Sequence, residues 1–224
     1  MAKTVIHKDL DSYFGEDFHL EASQTRSFTS MVFELLVERK PTSEEVKMLD
    51  LILNLSIDHG PDTPSAVKLI EAAKSGKTLS ESLAEGILAI NERHGGAIEP
   101  AMNFFYRIQK NQLDAEGIRD LVNEHLSEHK IIGGYGHRIY KDADPRTTLI
   151  YERLVDLGFG EEFIEIAKKV EKEIERQKGV KLPVNIDGAI ATVLCTFDWE
   201  PKLGNCVFIV ARIPGLCGQF LNNT

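Results

Sequence analysis

Apolar residues recur at helical spacing along most of this chain. Phe28, Met31, Val32, Leu35 and Leu36 fall on one helical face, which ends before Arg39-Lys40-Pro41. Similar spacing predicts further helices over 43–57, 63–74, 78–91, 98–109, 113–130, 147–157, 161–178 and 205–221. No alternating strand pattern with hairpin turns stands out. The pattern therefore predicts an all-α fold.

Two segments are less regular. Residues 1–24 show no clear period, which predicts an extended or loosely helical arm. The apolar run 189–197 fits either a strand or a buried helix, but Asn185 and Asp187 just before it are typical of a helix N-terminus. We therefore expect a helix there. The segment 98–109 is apolar on most sides and is predicted to be buried.

Composition and charge narrow the function classes. With 224 residues, 42% of them hydrophobic, the chain can bury a full core. The net charge of −9 argues against a non-specific nucleic-acid binder, which needs a surplus of Lys and Arg. The three cysteines, Cys195, Cys206 and Cys217, form no CxxC pair and predict buried, reduced thiols. With no signal peptide and no run approaching a membrane span, we expect a cytoplasmic protein without membrane contact.

Four polar sites lie at the ends of apolar segments beside glycine. They are Asp58-His59-Gly60, His94-Gly95-Gly96, Gly136-His137-Arg138 and Asn185-Ile186-Asp187-Gly188. Any one of these histidines alone suits a helix cap. Together with Arg146 and Arg212, the set offers a carboxylate base, neutral hydrogen-bond donors for an enolate, and guanidinium groups for substrate carboxylates. The histidines are not paired at i,i+3 or i,i+4, so we predict no metal site.

The order of these motifs resembles a known family. Gly134-Tyr135-Gly136-His137 followed by Asp144-Pro145-Arg146 is similar to the hallmark loop of the citrate synthase superfamily. The other landmarks follow that family's order: Ser56-Ile57-Asp58-His59, His94-Gly95-Gly96-Ala97, Asn185-Ile186-Asp187-Gly188 and Val210-Ala211-Arg212-Ile213-Pro214-Gly215. Within the superfamily, Asp58-His59-Gly60-Pro61 resembles the citryl-CoA lyases and the C-terminal module of ATP-citrate lyase more than citrate synthase itself.

The resemblance implies both an architecture and a set of roles. It implies a large helical domain, 1–97 with 193–224, and a small helical domain, 98–192, that closes over the site. It implies that Asp187 exchanges a proton with the acetyl-CoA methyl group and that His94 holds the thioester oxygen. His137 would polarise the ketone of oxaloacetate or, in cleavage, take up the proton of the hydroxyl group.

The remaining implied roles concern binding. His59, Arg146 and Arg212 would bind the substrate carboxylates. Coenzyme A, present only as part of the substrate, would meet the backbone of Gly133, Gly134, Tyr135 and Gly136 and the side chain of Lys141. The resemblance implies no other cofactor. The apolar helices 98–109 and 207–221 also suggest a subunit interface, so we expect a homodimer or homotetramer.

Two departures from the family pattern separate the possible reactions. His94 stands where the ATP-citrate lyase module carries an aromatic residue, which is a synthase-like feature. The printed sequence ends at Thr224, before the tail that in this family supplies another carboxylate-binding arginine, so weak citrate formation is expected. The favoured function is citryl-CoA cleavage to acetyl-CoA and oxaloacetate. The alternatives are citrate or 2-methylcitrate synthase and, in another class, a non-catalytic acyl-CoA-binding or assembly subunit.

Overall fold

The fold is built mainly of α-helices. The computed structural model describes residues 4–6, 12–14, 17–91 and 95–224, with side chains from residue 21 onward outside 92–94. Within these ranges the structure has eleven helices, which confirms the predicted all-α class. They are α1 (His19–Thr25), α2 (Phe28–Val37), α3 (Ser43–Ser56), α4 (Pro64–Lys74), α5 (Leu79–Leu88), α6 (Ile98–Lys110), α7 (Ala115–Ser127), α8 (Pro145–Asp156), α9 (Glu161–Lys178), α10 (Ile186–Thr196) and α11 (Leu203–Leu221).

A small antiparallel sheet precedes α1. Its strands are β1 (Thr4–Ile6), β2 (Ser12–Phe14) and β3 (Asp17–Phe18), in the order β1-β2-β3. In the register, Val5 faces Tyr13 and Tyr13 faces Phe18. The prediction of an arm over residues 1–24 therefore did not include these strand pairings. Strands of two or three residues are too short for an alternating pattern to be recognised.

Contacts divide the chain into two units, Met1–Leu51 and Ile52–Thr224. In the first unit, Thr29 Oγ1 donates to Asp50 Oδ1 at 2.8 Å. In the second unit, α4 packs on α5, α6 on α10, and α7 on α9. The large and small domains implied by the family resemblance stay a prediction.

Helix α10 is the buried centre of the second unit. All its residues from Ile186 to Cys195 are buried, so the run that fitted strand or helix is a helix with apolar sides all round. The Asn185 side chain caps it by accepting from the backbone N–H groups of Asp187 (3.0 Å) and Gly188 (3.2 Å). Helix α6 packs against it with Ile98, Met102 and Phe105 fully buried, in line with the prediction for that segment.

Helix α11 corrects one expectation. By length and composition alone, it is long and apolar enough to cross a membrane, whereas no such run was predicted from the sequence. About a third of its most apolar stretch, 33%, is buried. It contacts α4, α5, α6 and α10 within the second unit, and its one charged residue, Arg212, is 3% exposed. The prediction of buried thiols holds for Cys195 alone, because Cys206 and Cys217 are half-buried; all three thiols are free.

Candidate active site

A cavity of about 350 Å³ in the second unit collects most of the predicted site residues. His59 reaches it from the loop after α3, and His137 from residues 132–137, here called the glycine loop. Arg146, Asp187 and Arg212 reach it from α8, α10 and α11. The full lining is His59, Asp62, Thr63, Pro64, Gly95, Gly136, His137, Arg138, Arg146, Asn185, Ile186, Asp187, Phe208 and Arg212. Residues far apart in sequence therefore share one site.

Asp187 lies in the first turn of α10 and is 8% exposed. Burial raises the pKa of its carboxyl group to about 6, although Arg146, Arg212 and a hydrogen bond from the Gly95 backbone act in the opposite direction. A carboxyl group that titrates near neutrality can both accept and return a proton at physiological pH. This is the property that a base for an acyl α-carbon requires.

His137 is held by the backbone that follows it. Its Nδ1 accepts hydrogen bonds from the N–H groups of Ile139 and Tyr140, both at 3.1 Å. In the neutral ring this network assigns the hydrogen to Nε2. The 3.3 Å approach of Arg146 Nη2 to Nε2 then joins two donors and is not a hydrogen bond. Burial and the charge of Arg146 lower the pKa of His137, so the ring stays neutral at pH 7 and presents a donor.

Two further rings surround His137. The His59 ring meets it edge-on, with 5.6 Å between the ring centroids, and burial together with the charge of Arg146 lowers the pKa of His59. The Tyr140 ring stacks on His137 at 4.7 Å with the planes 24° apart. Both imidazoles are therefore neutral hydrogen-bonding groups rather than cations in this site.

Arg146 is clamped by a carboxylate. Its Nε donates to Asp144 Oδ1 at 3.0 Å and its Nη2 donates to Asp144 Oδ2 at 2.7 Å. Burial would raise the pKa of Asp144, but the hydrogen bonds and charge of Arg146 bring it below its usual range. Asp144 also accepts from the Arg146 backbone N–H as the N-cap of α8. This pair holds the guanidinium in one position at the cavity.

Arg212 is held differently. Its Nε donates to the Ser56 carbonyl at 2.9 Å, and its guanidinium carbon lies 4.7 Å from the centre of the Phe208 ring. Its Nη1 is buried and has no hydrogen-bond partner within the described ranges. Burial lowers the pKa of this guanidinium, while Asp58 and Asp187 act in the opposite direction. A buried donor of this kind is suited to an anionic ligand.

The glycine loop packs against the start of α10. The Gly134 carbonyl accepts from Asn185 N at 3.0 Å, and Gly136 N donates to the Pro183 carbonyl at 2.7 Å. A Cβ on Gly134, where φ is +87°, would lie 2.7 Å from the Gly188 Cα, so only glycine permits this approach. Glycine is thus needed at Gly134 for close packing of the loop against α10. Of the glycines in this loop, only Gly136 lines the cavity.

The other residues predicted to bind coenzyme A do not line this cavity. Gly133 is buried, and a Cβ there would lie 2.6 Å from the Ala97 carbonyl oxygen. The Tyr135 hydroxyl donates to the Ala167 carbonyl at 3.1 Å. The exposed Lys141 donates to the His137 carbonyl at 2.9 Å. His94 lies outside the described residues, so its place stays a prediction.

Three contributors to the site received no role from the sequence. Asp144 clamps Arg146, Asn185 donates from Nδ2 to the Gly136 carbonyl at 2.8 Å, and Phe208 forms part of the cavity wall. A signal existed for Asp144, because an acidic residue before Pro marks a helix start. No sequence signal distinguishes Phe208 from a core residue.

The charges at the cavity suit a small anion. Arg138, Arg146 and Arg212 line it together with the carboxyl groups of Asp62 and Asp187, in a chain whose net charge is −9. Among the described side chains, no group of three or more His, Cys, Asp or Glu residues is placed to hold a metal ion. The absence of a metal from the chemistry stays a prediction.

Comparison with known proteins identifies the family. The model of the citrate synthase C-terminal domain matches residues 5–224. The chain belongs to the citrate synthase family. The solved structure of citryl-CoA lyase from Hydrogenobacter thermophilus is 36% identical, with a TM-score of 0.88 over 97% of this chain and 84% of that one. ATP citrate lyase from Methanothrix soehngenii, solved with citrate and coenzyme A, is 25% identical, with a TM-score of 0.82 over 98% of this chain and 38% of that one.

Curated relatives in this family are longer. The probable ATP-citrate synthase subunit 1 of Neurospora crassa is 28% identical over an alignment 206 residues long, and the match covers 84% of this chain and 30% of that protein. The chain thus spans about a third of the length of such relatives.

Proposed function

We propose that this chain is a citryl-CoA lyase, which cleaves citryl-CoA to acetyl-CoA and oxaloacetate without a metal. The observation that carries the proposal is the convergence of Asp187, His137, Arg146 and Arg212 on one cavity. The similarity to citryl-CoA lyase from Hydrogenobacter thermophilus across 84% of that protein's chain supports it.

Cleavage requires a proton to move from the tertiary hydroxyl group to the acetyl carbon. The bond between that carbon and the carbinol carbon breaks, its electron pair forms the enolate of acetyl-CoA, and the hydroxyl oxygen becomes the ketone oxygen of oxaloacetate. We assign both proton transfers to Asp187, because a carboxyl group with a pKa of about 6 can accept the hydroxyl proton and return it to the enolate carbon. His94 is predicted to hold the thioester oxygen during this step.

His137 donates to the substrate oxygen in this proposal. Its hydrogen on Nε2 can be donated both to the ketone of oxaloacetate and to an alkoxide, and the bond is stronger where negative charge develops on the oxygen. The alternative role, uptake of the hydroxyl proton at Nε2, needs a lone pair that the neutral ring does not present there. Arg146 and Arg212 bind the carboxylates, and His59 donates a further hydrogen bond.

A second cavity supports a place for the nucleotide of coenzyme A. It measures about 560 Å³ and borders the glycine loop at Ile132 and Tyr135. His129, Lys130 and Lys178 line it and would meet the phosphates, whereas Lys141 contacts the His137 carbonyl. The pantetheine arm would pass from there along Tyr135 and Gly136 to the thioester end of the site.

The exposed surface of α11 bears on the quaternary assignment. We propose a homodimer or homotetramer, because α11 leaves apolar residues exposed, including Ile213 at 36% and Leu221 at 72%. Light scattering behind a sizing column measures the state directly, and a monomer at micromolar concentration would contradict the assignment. We also propose a cytoplasmic location, because Cys195, Cys206 and Cys217 are free thiols.

The test compares two reactions. Purified protein should release oxaloacetate rapidly from citryl-CoA but should release free coenzyme A only slowly from acetyl-CoA and oxaloacetate. Asp187→Asn keeps the side-chain shape and should lower cleavage by about 10³-fold, the scale of general acid–base catalysis. Rapid thiol release would favour the citrate or 2-methylcitrate synthase alternative. No turnover in either direction would favour an acyl-CoA-binding subunit, and an Asp187→Asn enzyme of near-normal rate would overturn the mechanism.

A further inference from the structure

One wall of the cavity closes directly beside the Asp187 carboxyl group. The backbone N–H of Gly95 donates to that carboxyl group. On its other side, Gly95 faces the ring of Phe208 so closely that a Cβ on Gly95 would lie 2.7 Å from the ring Cζ. Gly95, Asp187 and Phe208 all line the same cavity. The Phe208 ring is therefore a neighbour of the space in front of the carboxyl group.

The position of the Phe208 ring is constrained. Phe208 is 3% exposed and lies one helical turn before Arg212 on α11. The Arg212 guanidinium carbon is 4.7 Å from the ring centre, within the range of a cation–π contact. A larger acyl group cannot displace the ring without breaking this contact to a buried guanidinium. The wall is therefore stiff.

The reaction brings the acyl α-carbon to this wall. In the function proposed above, on which this inference rests, Asp187 exchanges a proton with that carbon. The α-carbon of acetyl-CoA carries only hydrogens, whereas that of propionyl-CoA carries an additional methyl group. We propose that Phe208 is the specificity-determining residue that admits acetyl and excludes α-substituted acyl groups, so that citryl-CoA is accepted and 2-methylcitryl-CoA is rejected.

The expected discrimination follows from the size of a methyl group. One methylene in an apolar pocket changes kcat/KM by about 10- to 200-fold, more when the wall cannot yield. The wild-type protein should therefore cleave citryl-CoA at least about 10-fold more efficiently than 2-methylcitryl-CoA. Phe208→Ala should raise the ratio of methylcitryl to citryl cleavage by about 10-fold or more, and Phe208→Leu by a smaller factor in the same direction.

The experiment measures both substrates with one assay. Oxaloacetate release from each thioester is followed with malate dehydrogenase and NADH for the wild type and for both Phe208 variants. Phe220→Ala is the matched control, because Phe220 lies on the same helix but packs against the cluster of Ala66, Leu69 and Leu216. Its substitution should lower the free energy of unfolding and leave the ratio of methylcitryl to citryl cleavage unchanged.

A binding measurement separates this inference from the proposed function. Calorimetric titration of acetyl-CoA and propionyl-CoA into each variant needs no turnover. If the wild type cleaves neither thioester, the proposed function fails. The role of Phe208 is then tested by binding alone: Phe208→Leu should strengthen propionyl-CoA binding several-fold relative to acetyl-CoA binding. If Phe208→Ala does not fold, Phe208→Leu gives the result. An unchanged ratio in a folded Phe208 variant, in either assay, overturns the inference.

Discussion

Two arginines on the same cavity are stabilised in opposite ways. Arg146, at the start of α8, shares two hydrogen bonds with a carboxylate, Asp144, that is 1% exposed. Arg212, in the middle of α11, is 3% exposed and donates to a neutral carbonyl, that of Ser56. In the described part of the chain, its Nη1 is buried and has no hydrogen-bond partner, although Asp58 and Asp187 lie close enough to act on its pKa.

The difference indicates separate tasks. The charge of Arg146 is largely balanced before any ligand binds, so this side chain chiefly provides geometry. The charge of Arg212 is buried against a neutral carbonyl and is only partly offset by the more remote Asp58 and Asp187, which costs free energy in the empty protein. A substrate carboxylate that binds there supplies the missing partner. Much of the binding free energy is therefore expected at Arg212, and much of the local rigidity at the Asp144–Arg146 pair.

Replacing the two arginines in turn should give the largest contrast. Arg212→Gln should weaken oxaloacetate binding by about 4 kcal/mol, or about 10³-fold, because the central anion contact is lost. It should leave the free energy of unfolding unchanged or raise it, since a buried unpaired charge is removed. Arg146→Gln should lower stability, because Asp144 then remains buried without its cation. Calorimetry and urea unfolding measure the two quantities, and equal profiles for the two variants would remove the distinction.

Asp144→Asn tests the clamp itself. Asparagine can still cap α8, but the ion pair with Arg146 is lost, so unfolding free energy should fall by about 3 kcal/mol. The matched control is Asp114→Asn, because Asp114 caps α7 through Gly117 N at 2.9 Å at an exposed position. That control should cost less than about 0.5 kcal/mol in urea unfolding. A similar loss in both variants would show that capping, and not the pair, matters.

The smallest effect concerns pH. The pKa of Asp187 is raised to about 6 in the folded protein, so the folded state binds this proton more tightly than the unfolded state. Its contribution to stability is present at low pH and is lost as the pH rises through about 6. Between pH 4 and pH 7 the loss should be about 2 kcal/mol.

Asp187→Asn provides the reference for this measurement. The lowered pKa values of His59 and His137 act in the opposite direction, because these rings are neutral in the fold and stability falls as the pH drops below their unfolded value. Subtracting the urea-unfolding profile of Asp187→Asn from that of the wild type isolates the carboxyl contribution. A flat difference from pH 4 to pH 7 would contradict the raised pKa.

The helices were largely predictable because each carries its own local signals. The apolar stripe of α2, the Asn185 cap of α10 and the Pro at the start of α8 are all short-range features. The sheet over Thr4–Phe18 was missed because its strands are too short to show a period. The apolar length of α11 was also missed, since Arg212 and Pro214 interrupt the run.

The set of site residues was predictable from motif order, but their arrangement was not. The residue types of His59, His137, Arg146, Asp187 and Arg212 already indicated carbanion chemistry with anionic substrates. The stacking of Tyr140 on His137 and the carbonyl that holds Arg212 depend on contacts between distant segments. No local pattern records such contacts.

By itself, the sequence determined the helical class, the family and the residue types available for chemistry, because helix signals and motif spacing are local properties. Only the tertiary structure decided the state of those residues. Burial at the start of α10 brings the pKa of Asp187 near 6, and two backbone N–H groups set the hydrogen of His137 on Nε2. Desolvation and hydrogen bonding depend on what packs around a group, so protonation at this site follows from the fold.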